Sequence, residues 1–167
     1  TNLGAGAIIQ KLIEYNIPFV AVDSLPNIYD HWITQDIAAY IRIAMGENSR
    51  AHFLRIINRP TRYISRECFD NPKVNIRDIY DYYEDKEWMH ERIEQLEYDL
   101  SMLAKMSPYA VIQYIRRGIG YEDFLKEYAT LRKMRYEELI DALDEIQESA
   151  RGFKSYPDWF GHMEQYK

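Results

Sequence analysis

Apolar residues recur every three to four positions through most of the chain, so the elements this pattern predicts are helices. Asp30 stands as a cap, Ile33, Ile37, Tyr40, Ile41 and Ala44 form one stripe behind it, and Gly46 supplies a stop. Ser49 caps a second segment with Phe53, Ile56 and Ile57 facing inward, and Pro60 ends it by pushing Arg59 out of helical geometry. Ser65 is placed to cap a short helix through Phe69, and Asn75 to begin another. Met89, Ile93, Leu96, Leu100 and Leu103 then step by four and three, the seam of a long helix packed nearly antiparallel against others. Ser107 and Pro108 open a helix that ends at Gly118, and Gly120 and Tyr121 open a short one with Phe124 and Leu125 inward. A last long helix is expected from about 132 to 150 on Leu139, Leu143 and Ile146; beyond Gly152, Pro157 starts a tail helix carrying Trp159, Phe160 and Met163.

The N-terminal stretch breaks this pattern. Ala5, Ile9, Leu12 and Ile13 share a helical face over 4–15, but 17–22 reads IPFVAV, a β-prone run bounded by Asn16 and a turn cluster. A lone strand cannot satisfy its own backbone ladder, so it is expected either to belong to a sheet whose other strands lie outside this sequence, which hints at a fragment, or to pair only weakly. The expected class is mostly α: a multi-helix unit with one short N-terminal β-strand left over from another domain.

Composition narrows the chemistry. The 167 residues fit one domain with a small appendage, and only seven Gly and six Pro disfavour a turn-rich β architecture. The single Cys68 excludes an internal disulfide, and no Cys/His cluster has zinc spacing, which points to a reducing, cytoplasmic setting without metal. No apolar run approaches the ~20 residues of a membrane span, and the start lacks a signal peptide's basic region. Gly4, Ala5 and Gly6 open like a dinucleotide fingerprint, but Ile9 stands where the third Gly belongs, and no phosphate loop ending in Gly-Lys-Ser/Thr occurs. His31, His52, His90 and His162 are scattered. The expectation is no catalytic residue and no cofactor within this sequence.

Charge is distributed unevenly. The net charge is −6, yet residues 42–66 hold six Arg against one Glu. The candidate nucleic-acid-binding residues lie in the turn ending that stretch: Arg59, Thr61, Arg62, Tyr63, Ser65 and Arg66. Guanidinium groups, hydroxyls, turn amides and a following helix start together suit a duplex backbone read without base contacts. The alternative is internal: nine Asp and Glu between 78 and 99, against Lys86 and Arg92, could absorb the Arg charge or present a face to a protein partner. Gly118-Ile119-Gly120, beside Arg116 and Arg117, resembles the phosphate-contacting turn of helix-hairpin-helix modules, with a plain helix cap as its competing reading.

Four blocks carry a family resemblance. The run 36–43, DIAAYIRI, followed by FLRIINRPTR at 53–62, resembles the "IKDxxAYLRL" and "FxRIxNxPxRGIG" segments of UvrD/Rep/PcrA-type superfamily 1 DNA helicases. GYEDFL at 120–125 is similar to the family's "TGYxxxL", and RYEEL at 135–139 to its "RxENLxEL". Asn2 and 17–19 are similar to the helix and strand upstream. The resemblance implies that 31–167 is a helical 2B-like subdomain and 1–30 a piece of the RecA-like 2A domain that supplies the strand. It implies a parent ATP-dependent DNA helicase whose ATP and Mg sites lie outside this sequence. The implied partners are duplex DNA at a fork, the RecA-like domains of the same chain and possible protein partners, with no membrane. The implied role is an accessory one, duplex contact and modulation of unwinding; a helical protein-interaction or autoregulatory module is the alternative. The chain departs from the pattern at Tyr63-Ile64-Ser65, where the family's two turn glycines are absent, and at His31-Trp32-Ile33, where "ERxEI" is usual.

Overall fold

A computed structural model describes residues 27–166. These residues are mostly helical: α1 (Trp32–Ala44), α2 (Arg50–Ile56), α3 (Ile76–Tyr82), α4 (Glu87–Leu103), α5 (Pro108–Gln113), α6 (Tyr121–Arg132), α7 (Tyr136–Ser149) and α8 (Tyr156–Glu164). The expected helix at 4–15 and strand at 17–22 lie outside the described residues. Among those described there is no strand; extended pairing is limited to an isolated antiparallel bridge between Ser49 and Lys73.

The first helix is the axis of the fold, packing against α2, α4 and α7. Eight of its thirteen residues are buried, including Ile33, Ile37, Tyr40 and Ile41, so it is covered nearly all round instead of showing one wet face. Its N-cap is His31, whose Nδ1 accepts from the Ile33 N–H at 3.1 Å, in place of the expected Asp30. Asp30 instead closes a 3-10 turn (Ile28–Asp30) capped by Asn27. At the other end Gly46, at φ 101°, lets its own N–H reach Ile43 O (2.9 Å) and the Glu47 N–H reach Arg42 O (2.9 Å). That double closure satisfies the orphan carbonyls and requires a left-handed residue, hence Gly.

The long α4 buries Met89, Ile93, Leu96 and Leu103 as its seam requires, and leaves Glu91, Glu94 and Glu97 in solvent. Asp99 departs from that acidic face. It is buried, accepting from Tyr114 Oη at 2.8 Å and from Gln95 Nε2 at 3.0 Å. The expected helix from Ser107 to Gly118 divides into α5 and a π-helical turn (Tyr114–Ile119), closed by Gly120 at φ 96°. The helix opened by Tyr121 is longer than expected, reaching Arg132, and α7 begins at Tyr136 rather than near 132, because Lys133 turns left-handed (φ 53°) between them. Ser155 caps α8 through the Asp158 N–H, with Pro157 in the first turn.

Candidate nucleic-acid interface

The turn at 57–66 leaves the end of α2 and is held from within. Asn58 works as a staple: its Oδ1 accepts from the N–H groups of Arg62 (3.1 Å) and Ile64 (3.2 Å), and its Nδ2 donates to Ile64 O (2.9 Å). The Ser65 N–H donates to Tyr83 Oη at 2.7 Å. The amides of Arg62, Ile64 and Ser65 are therefore consumed inside the protein, against the expectation that turn amides stand free. The bond between Arg59 and Pro60 is cis.

Two of the six candidate residues are spent on this architecture. Arg62 is 8% exposed. Its Nη1 donates to Ile56 O (2.9 Å) and Ile57 O (3.0 Å), and its Nη2 to the hydroxyl of the buried Tyr40 (2.8 Å). A guanidinium thus caps the C-terminal carbonyls of α2, where a cation also meets the helix dipole favourably. Tyr40 passes the link on, donating to Arg59 O at 2.7 Å. Arg59 turns the other way and places Nη1 2.8 and 3.0 Å from the two oxygens of Asp36, with its guanidinium over the rings of Trp32 and Phe124.

Asp36 is the convergence point. Its side chain is fully buried, and it receives Arg59, the Arg55 Nε at 2.7 Å and the Tyr121 hydroxyl at 2.5 Å. Burial pushes its carboxyl up from the usual carboxylate range, while the bonds from Tyr121 and Arg59 and the charges of Arg59 and Arg55 pull it down. The Tyr121 hydroxyl is raised well above its usual value by burial and by the Asp36 charge, so it stays a donor. The expected neutralisation of the Arg turn by the acidic α4 does not occur at Arg59, whose counter-ion comes from α1.

The remaining candidates face outward. Thr61 and Arg66 are exposed; Ser65 is half-buried, its Oγ accepting from the Glu67 N–H to start a 3-10 turn (Arg66–Cys68). Tyr63 is 70% exposed and sits at φ 59°, in the left-handed region. Arg92, from α4, lies 4.9 Å above its ring. Beside them opens a recess of about 540 Å³ whose lining includes Tyr63, Ser65, Tyr82, Lys86, Trp88 and Arg92. Of these, Tyr82, Lys86, Trp88 and Arg92 are not marked as site residues by the sequence pattern. One signal was available: Trp88 lies off the seam of α4, on a face it shares with Glu91, Arg92 and Gln95, where a large aromatic has no core to fill.

The second glycine-flanked turn is occupied differently. Gly118 lies within the π turn and Gly120 caps it, while Arg116 is buried and bonded to Glu122 (3.3 Å), Asp144 (2.7 Å) and Gln147 (2.8 Å). Arg117 remains exposed near Glu122. Among the described residues no group of three or more His, Cys, Asp or Glu side chains could hold a metal ion, and no helix is long and apolar enough to cross a membrane.

The sequence is 22% identical over 172 residues to a Bacillus subtilis (strain 168) protein named "Putative ATP-dependent DNA helicase YjcD". The match covers 98% of this chain but 22% of that protein, so the chain spans about a fifth of the length of the curated relative it matches. No family model and no solved structure matches the sequence. The likeness supports a relationship to a DNA helicase, carried along the whole chain.

Proposed function

We propose that this chain is a helical accessory portion of an ATP-dependent DNA helicase, with 31–167 as a 2B-like subdomain and 1–30 belonging to a RecA-like domain. One observation carries the reading. Three of the blocks that resemble the helicase family, at 36–43, 53–62 and 120–125, are separate in sequence, yet Arg59 and Tyr121 from two of them close on the buried carboxylate of Asp36 from the third. A chance likeness in short motifs gives no reason for such convergence. The hub fixes α1, the turn and α6 in one arrangement and so presents Thr61, Tyr63, Ser65 and Arg66 on a defined surface. That surface contacts the backbone of duplex DNA, with ATP and Mg bound by the parent protein outside this chain.

The test is salt dependence in the full-length protein. Removing one cation that neutralises a phosphate should flatten the log–log slope of duplex binding against salt by about 0.9. Arg66→Ala should do so with little change in stability, because its guanidinium has no ion-pair partner among the described residues. An unchanged slope removes the turn from the duplex interface.

One observation favours a second reading. Arg59 and Arg62 are satisfied internally, as a protein-docking module would have them, and the exposed carboxylates Glu87, Glu91 and Glu94 of α4 remain to receive a basic partner. Charge reversal at those three positions that abolishes a partner pull-down, while Arg66→Ala leaves it intact, supports that reading.

A further inference from the structure

Three of the large hydrophobic side chains that this chain leaves exposed line the same recess: Tyr63 (70%), Trp88 (60%) and Tyr82 (47%). Two cations, Lys86 and Arg92, complete its rim, and no carboxylate lines it. Glu67, outside the lining, holds the Tyr82 hydroxyl at 3.2 Å. The surrounding protein is acidic, so this combination is local.

Tyr63 makes the arrangement more than an accident of composition. Its φ of 59° falls where a side chain clashes with its own backbone and where glycine is the ordinary occupant. Asn58 fixes the residues on both sides, so the strained conformation is imposed by the turn. An aromatic ring at a position built for glycine, pointing into solvent under a guanidinium, buries no core. Backbone strain of this kind, held by the surrounding turn, clusters at active sites and ligand clamps.

We infer that the Tyr63–Trp88–Tyr82 recess is a stacking site for unpaired nucleobases, with Lys86 and Arg92 holding the strand's phosphates. Aromatic faces interleaved with cations suit a ligand that is both a polyanion and a series of π faces, which describes single-stranded nucleic acid. A duplex hides its base faces and would use the cations alone. The inference rests on the reading of this chain as part of a nucleic-acid-handling protein but adds to it a different ligand state and different side chains.

The test uses the full-length protein and a thymidine oligonucleotide carrying 5-iodouracil, photo-crosslinked and mapped by mass spectrometry. A local readout is needed because other parts of the protein can bind the same strand. Crosslinks are expected at Tyr63 or Trp88. An abasic oligonucleotide of equal length, with the same phosphates and no bases, should compete for them at least tenfold less well than oligothymidine. Tyr63→Gly with Trp88→Ala should lower the crosslink yield at this site at least tenfold, and the Gly suits the backbone angle, so the turn is retained. Absence of crosslinks at both residues, or equal competition by the abasic strand, overturns the stacking site. That failure is separable from failure of the helicase reading: the salt slope for duplex DNA depends on Arg66, whereas the crosslink depends on base faces at Tyr63 and Trp88.

Discussion

The Arg-rich segment has two sides, and they use one residue type for opposite purposes. On the inner side, Arg55, Arg59 and Arg62 point into the protein, reach a buried carboxylate and two helix-end carbonyls, and lock α1, α2 and α6 together. On the outer side, Arg66 stands in solvent, and Arg92, contributed by α4, lies over the exposed ring of Tyr63. The separation is as little as one residue, since buried Arg62 adjoins exposed Tyr63. A local excess of positive charge therefore does not identify an anion-binding surface. What separates the inner arginines from Arg66 is that each of them already has a carboxylate or carbonyl acceptor within the fold, because a buried cation must be paired whereas a solvated one keeps water for exchange.

The strongest way to break this comparison is to remove the inner acceptor. Asp36→Ala leaves Arg55 and Arg59 facing each other without a counter-ion and Tyr121 without an acceptor, and should cost about 3–5 kcal/mol of unfolding free energy in urea titration. A loss under about 1 kcal/mol would mean the hub is incidental. Arg62→Ala comes next. It strips donors from Ile56 O, Ile57 O and the Tyr40 hydroxyl, all buried, for an expected loss of about 2–3 kcal/mol. Arg62→Lys should recover little of it, because a single ammonium cannot span the fork that reaches two carbonyls and a hydroxyl. If Arg62→Ala instead kept full stability and flattened the salt slope of DNA binding, Arg62 would belong to the outer side.

Much of this fold was legible from spacing. The stripes on α1, α2 and α4 and the stops at Gly46 and Pro60 follow from periodicity and from the backbone angles only certain residues accept, while the stop expected at Gly118 falls two residues later, at Gly120. Where expectation failed, a competing contact, local in one case and between helices in the other, had overridden the signal. Asp30 is a good cap by type, but His31 reached the Ile33 amide; Asp99 looked like one more solvated carboxylate, but Tyr114 drew it inside. The site was legible as a place and not as a set of roles. Sequence marks Arg59 and Arg62 as cations near a turn; it does not reveal that Asp36 of α1 will claim Arg59, nor that Tyr121, 85 residues beyond Asp36, will share the same carboxylate. The aromatic recess was hidden for a related reason, since Tyr82, Trp88 and Tyr63 come from three segments that only the fold brings together.

The smallest effect offers the sharpest test of the outer side, and it concerns Tyr63. A non-glycine residue held at φ 59° carries a strain of about 1–2 kcal/mol, which glycine would relieve. Against that relief stand the extra freedom glycine gives the unfolded chain, about 0.5–1 kcal/mol, and the missing attraction between the ring and Arg92, roughly 0.5–1 kcal/mol at an exposed site. These contributions nearly cancel, so Tyr63→Gly should unfold within about 1 kcal/mol of the wild type. Alanine relieves no strain and equally forgoes the attraction to Arg92. Tyr63→Ala should therefore be the less stable of the two by about 1 kcal/mol, the reverse of what glycine and alanine do inside a helix. Urea titrations of the pair read this order directly. If alanine is the more stable, the turn does not hold residue 63 left-handed, and the case that the ring is retained for a ligand loses its support; if glycine is the more stable, the tyrosine is there for something other than the fold.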